Sequence, residues 1–97
     1  MSPIQISGHG IEITPTLHDF IHKKFSHLQK RFDRITSIHV FLNINKLSQE
    51  AEATVHIPSY EASARAESED MYKTIDLLIA KLLRQLDKHK GKVDKKR

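Results

Sequence analysis

The hydrophobic period changes twice along the chain, and few folds accommodate both changes. Between residues 16 and 34 apolar side chains recur every three or four positions, at Leu17, Phe20, Ile21, Phe25, Leu28 and Phe32, as in a helix with one buried stripe. From 36 to 67 they recur every second position: Ile38, Val40, Leu42 and Ile44, then Ala51, Ala53, Val55 and Ile57, then Tyr60, Ala62, Ala64 and Ala66. Beyond Ser68 the helical period returns with Met71, Ile75, Leu78, Ile79, Leu82 and Leu86. Turns near 46–48 and at Pro58-Ser59 join the alternating segments into an antiparallel meander of three strands. Ile4-Gln5-Ile6-Ser7 adds a short first strand, closed by the turn signal Gly8-His9-Gly10. The order is β-α-β-β-β-α, with one apolar face per element. The fold class expected is therefore α+β, a two-layer sandwich whose four-stranded sheet carries both helices on one face.

Local signals refine the boundaries. Thr14-Pro15 provides a cap and a proline at the first helical position. Ser68 is the expected cap of the second helix, with Glu69 and Asp70 in its first turn, and Gly91 its expected stop after Lys88, His89 and Lys90. The alanines on the inner sheet face let helices bearing Phe and Leu approach closely. A chain of 97 residues makes one domain, expected to span 1–91, and residues 92–97, basic and without apolar periodicity, are expected to form a short mobile tail.

Charge is segregated along this order. Residues 16–40 carry +3 and residues 71–97 carry +6, whereas residues 41–70 carry −4. Lys23, His27, Lys30 and Arg34 form one stripe about 135° from the apolar sector of the first helix, and Lys24 falls inside that sector, where its stem can lie on the core with the amine at the edge. Lys73, Lys81, Arg84 and Lys88 cluster roughly 150° from the apolar sector of the second helix. With both helices on one side of the sheet, the two stripes should share the outer layer as a broad cationic patch. The other sheet face, bearing Glu50, Glu52, Glu61 and Glu67, should repel nucleic acid. RNA phosphate is the ligand such a patch suits, and Arg31, Arg34 and Arg84 can grip it through two bonds at once. Neither stripe offers an aromatic platform for bases, so recognition would rest on backbone and shape.

Other chemistries lack their parts. There is no cysteine, hence no disulfide or thiolate chemistry, and no signal peptide or transmembrane stretch, which makes the cytoplasm the expected compartment. No nucleophile with a base and no phosphate-cradling glycine loop is recognisable, so an enzyme is not expected. His18 and His22 stand one turn apart without a third ligand, so neither metal nor cofactor is expected.

GHGIEIT before the first helix, KKFSHLQKRFDRI within and after it, and DMYKTIDLLIAKLLRQLDKHKGK at the end, taken with the element order, resemble the ribosome hibernation promoting factor family, also called sigma-54 modulation proteins. The resemblance runs from about Ile4 to Lys92. It implies a cytoplasmic bacterial protein that binds the small ribosomal subunit and its rRNA in the channel used by mRNA and tRNA, and keeps idle ribosomes silent in stationary phase. It also implies a fold like the double-stranded RNA-binding domain with an extra first strand. Long members add a C-terminal dimerisation domain and the ribosome-associated inhibitors a longer tail, so the length fits the short type. Ribosome modulation factor, acting on the same ribosomes, is the further partner implied; no membrane or small-molecule substrate is. The residues expected to touch the ribosome are Lys23, Lys24, His27, Lys30, Arg31, Arg34, Lys73, Lys81, Arg84, Lys88, Lys90 and Lys92. On this view Lys81→Glu with Arg84→Glu and Lys88→Glu should abolish ribosome binding and leave the fold intact. Two departures from the family pattern are Pro58-Ser59, in place of a turn rich in glycine or asparagine, and Leu77 among the cations. A generic duplex-RNA module and a transcription modulator working through the acidic face are the competing functions.

Overall fold

In a computed structural model, which describes the backbone of residues 3–95 and the side chains as far as residue 89, six elements follow in the expected order. They are β1 (Ile4–His9), α1 (Pro15–Arg31), β2 (Ser37–Asn45), β3 (Ser48–Ile57), β4 (Tyr60–Ser68) and α2 (Met71–Lys95). The strands form one sheet in the order β1-β2-β3-β4. β2, β3 and β4 are the antiparallel meander, while β1 runs parallel to β2. A parallel neighbour can be reached only by a crossover, and α1 is that crossover.

Register follows from which side chains must face inward. Ala51 stands opposite Ala66, Ala53 opposite Ala64 and Val55 opposite Ala62, so small residues line the inner face of β3 and β4. Ile38, Val40 and Leu42 line the same face of β2 and are almost wholly buried. Side-chain volume then sets the height of each helix. The Cα atoms of α2 come within 8 Å of those of β3 and β4, whereas α1 comes that close only to β1 and to α2. Ile21, Phe25 and Leu28 of α1 and Ile38, Val40 and Leu42 of β2 are all buried in one core cluster, where large side chains hold the α1 backbone away from that of β2.

The ends of the elements agree in part with the sequence signals. Thr14 caps α1, its hydroxyl accepting from the Leu17 amide at 3.2 Å. α2 is capped by Asp70 rather than Ser68: the Asp70 carboxylate accepts the Lys73 amide at 3.3 Å, and its carbonyl takes the first helical bond from Thr74. Ser68 still belongs to β4, and its hydroxyl serves the bend between strand and helix, bonding Asp70 and the buried Thr74. Gly91 does not end α2, which runs on to Lys95. A glycine costs about 1 kcal/mol inside a helix, and an ending requires the chain to turn left-handed there as well. The expected tail therefore begins inside a helix, and its side chains lie outside the described residues.

β1 continues through Gly8 and His9, opposite Leu42 and Asn43. A Cβ on Gly8 would sit 2.9 Å from Ile11 Cγ2, so the bare glycine lets the returning chain pass. Gly10, at φ +73°, makes the turn itself. The β2–β3 turn places Lys46 at φ +56°, the one non-glycine residue with positive φ among those described. Pro58-Ser59 needs no left-handed residue and therefore no glycine.

Candidate nucleic-acid interface

The cations expected on the outer layer divide into three groups once the helices are side by side. The helices run in the same sense, joined at three levels by Phe20 against Tyr72, Lys24 against Asp76 and Arg31 against Asp87. The ring centroids of the first pair are 4.8 Å apart, edge to face. The Lys24 ammonium lies 3.1 Å from the Asp76 carboxylate and 5.3 Å from the centre of the Phe20 ring. The Arg31 guanidinium donates to both oxygens of Asp87 at 3.0 Å. These contacts form the seam between the helices. Lys24 and Arg31, both expected to meet RNA, already have carboxylate partners.

On one side of the seam lies the α1 row. Lys23, His27 and Lys30 are exposed, and no ion pair or hydrogen bond within the described residues engages their polar ends. Arg34 is exposed too, but α1 ends at Arg31, so Arg34 extends the row from the following loop. On the other side lies the α2 row of Lys73, Leu77, Arg84 and Lys88, all exposed. Lys73 stands 3.8 Å from Glu69, one turn before it. Leu77, 41% exposed, puts an apolar contact among the charges. At 100° per residue this row lies about 100° round α2 from Tyr72, Asp76 and Asp87, the residues that meet α1.

Lys81 leaves the row altogether. Its ammonium donates to the Arg65 carbonyl at 2.7 Å, and Gln85, one turn on, both donates to the Ser63 carbonyl at 2.6 Å and accepts the Ser63 amide at 3.2 Å. β4 is an edge strand, and the outward backbone groups that such a strand leaves unpaired are here met by side chains of α2. The exposed cations of α1 and α2 thus share the outer layer, with the paired Lys24–Asp76 and Arg31–Asp87 between the helices. Lys90 and Lys92 lie outside the described side chains.

The opposite sheet face carries negative charge held in place by neighbours. Glu50 accepts from Asn43 at 3.2 Å and from Arg65 at 3.3 Å. The Asn43 bond, helped by Arg65 and opposed by partial burial, holds its carboxyl below the usual value of 4.5. Glu61 stands 3.5 Å from His56, and Glu67 accepts from Ser48 at 3.2 Å. Phe41 lies half exposed on this face, beside Glu52. The His18 and His22 rings are tilted by 31° with centroids 4.5 Å apart, and no group of three metal-ligating side chains occurs among the described residues. Among the described residues no helix is long and apolar enough to cross a membrane.

Sequence reasoning missed the seam and the edge cover. A signal for the first existed, since Lys24 sits at an apolar angle of α1 where a charge needs a partner. Asp76 and Asp87 share the flank of α2 that carries Tyr72. Nothing in the sequence marks Lys81 and Gln85 as partners of a strand edge.

Comparison with known proteins places this geometry in a family. The sequence model described as sigma 54 modulation protein / S30EA ribosomal protein matches residues 4–94. The chain belongs to that family. A ribosome hibernation promoting factor from Azotobacter vinelandii is 51% identical over 89 residues, which cover 92% of this chain and 83% of the relative. Another member so named, from Klebsiella oxytoca, is 48% identical over 90 residues, covering 93% and 95%. Among solved structures, a ribosomal subunit interface protein from Coxiella burnetii superposes with a TM-score of 0.87 at 44% identity, covering 92% of this chain and 98% of that one. The fold is therefore shared with that protein over nearly its whole length.

Proposed function

We propose that the chain is a non-enzymatic translation regulator, acting in the cytoplasm, that binds the small ribosomal subunit in the channel used by mRNA and tRNA and promotes ribosome hibernation. The observation that carries the reading is the polarity of the sandwich: exposed cations on the helix layer, Glu50, Glu52, Glu61 and Glu67 on the sheet layer. It occurs in a chain about half identical to proteins named for ribosome hibernation.

The mechanism follows from charge and shape. Each lysine or arginine that neutralises a phosphate releases condensed counterions, so binding is entropically favoured and falls as salt rises. Arg84 and Arg34 grip phosphate through two bonds, Lys23, Lys30 and Lys88 as point charges. The sheet face turns the carboxylates of Glu52, Glu61 and Glu67 to solvent, which fixes the orientation of the bound domain. A rigid body seated where mRNA and tRNA pass silences the subunit by occupancy alone. Pairing of silenced ribosomes would draw on ribosome modulation factor acting on the same particles.

The test is competition. Labelled initiator tRNA bound to mRNA-programmed small subunits should be displaced in proportion to the chain that binds. Full retention of tRNA on subunits saturated with the chain would exclude the channel as its site.

A further inference from the structure

We infer that Asp76 and Asp87 are specificity determinants, which keep the helix layer from binding RNA duplexes indiscriminately and so leave it selective for a folded RNA that presents phosphates along two separate tracks. This inference rests on the RNA-binding reading above.

The argument begins with what the two carboxylates do to the outer layer. Without them Lys24 and Arg31 would join Lys23, His27 and Lys30 to the α2 cations, and the helix layer would be one continuous field. With them each cation has an anion at salt-bridge distance, 3.1 Å for Lys24 and 3.0 Å for Arg31. The seam is thereby neutral in sum. Packed helices have axes about 8–10 Å apart, which sets the scale of the spacing between the α1 and α2 rows.

The pairs are also accessible to RNA. The Asp76 and Asp87 side chains are 56% and 46% exposed, so a phosphate run laid along the seam would meet both carboxylates. Displacing Asp87 from Arg31 would break the contacts that Nη2 makes with both carboxylate oxygens and leave the carboxylate beside the incoming phosphate. A surface ion pair contributes little to stability, so the fold has little need of these two. Their effect on an approaching polyanion is larger in kind, because they change the sign of the charge it meets. RNA whose phosphates straddle the seam escapes the penalty; an unselected duplex that lies along it does not.

The experiment measures binding of the full chain to small ribosomal subunits and to an unrelated RNA duplex, at several salt concentrations, for the wild type, Asp76→Asn/Asp87→Asn and Asp76→Glu/Asp87→Glu. Removing both charges should raise duplex affinity roughly three- to tenfold and steepen its salt dependence by about one to two counterions, as Lys24 and Arg31 become free for phosphate. Subunit affinity should change less, so the preference for subunits should shrink. The glutamate variant, which keeps both charges, should retain the wild-type preference. If the asparagine variant melts like the wild type and binds the duplex no better, the inference is wrong. It is equally wrong if both affinities rise by the same factor, since the carboxylates would then be general repellents. Should the asparagine variant unfold, loss of subunit preference in the glutamate variant would overturn the inference and its retention would support it. Failure of the wild type to bind subunits would instead overturn the functional reading.

Discussion

Thr74 shows how much one buried hydroxyl can hold. It is fully buried, its one hydroxyl proton shared between the Gln49 carbonyl of β3 at 2.9 Å and the Asp70 carbonyl at 3.0 Å, and its oxygen stands 2.7 Å from the Ser68 hydroxyl. Thr74→Val keeps the shape and removes the hydroxyl from the Gln49 carbonyl and from Ser68, while the Asp70 carbonyl keeps the Thr74 amide, so urea melts should show a loss of about 1–3 kcal/mol. Glu50 provides a pH-dependent counterpart. Its folded-state pKa lies below the unfolded value of 4.5, so its contribution is complete above that value and is lost as pH falls through the lower folded value. The urea midpoints of the wild type and Glu50→Gln should differ at pH 7 and converge on acidification. A gap that widens instead would contradict the assignment. Lys46 carries a left-handed φ that a side chain adopts at a cost of about 1–2 kcal/mol, so Lys46→Gly should raise the melting temperature slightly, after glycine's larger entropy loss is offset.

At the scale of elements, the period of the hydrophobic pattern carried the fold because burial depends on which face a residue occupies. Ile38, Val40 and Leu42 alternate in sequence and are buried together in space, as are Ile75, Leu78 and Leu82 at helical spacing. Boundaries were less legible. Ser68 and Asp70 are both competent caps, and the choice between them depends on where β4 stops pairing with β3. Gly8 looked like a turn residue, but β1 passes through it because β2 offers Leu42 as a partner. The relation of α2 to the sheet edge depends on long-range placement that a helical wheel does not contain. Its test is Gln85→Ala, which removes both bonds to Ser63 and should cost about 1 kcal/mol. Amide exchange at Ser63 should quicken in that variant while the amides of β2 stay protected; unchanged exchange at Ser63 would mean that the strand edge does not rely on Gln85.

For the whole molecule, the decisive property is the division of charge between its two faces. That division was legible in the sequence, because the helices are basic and the meander acidic in blocks. What the sequence could not show is that neighbouring elements take some of the cations out of use. Lys24 and Arg31 are matched across the seam and Lys81 is turned to the β4 edge, which leaves Lys23, His27, Lys30, Arg34, Lys73, Arg84 and Lys88, among the described residues, as the exposed cations of the proposed interface. A charge reversal that includes Lys81 would therefore disturb β4 as well as the interface. Lys30→Glu with Arg84→Glu and Lys88→Glu avoids that. The most direct measurement is co-sedimentation of the chain and of this triple variant with small ribosomal subunits across a salt series. The wild type should bind with an affinity that falls steeply as salt rises, and the variant, folded and melting normally, should bind at least about a hundredfold more weakly, three reversed charges each costing near a tenfold step. Binding of the folded variant as tight as that of the wild type would contradict the account, because the helix layer would then not be the surface that meets the ribosome.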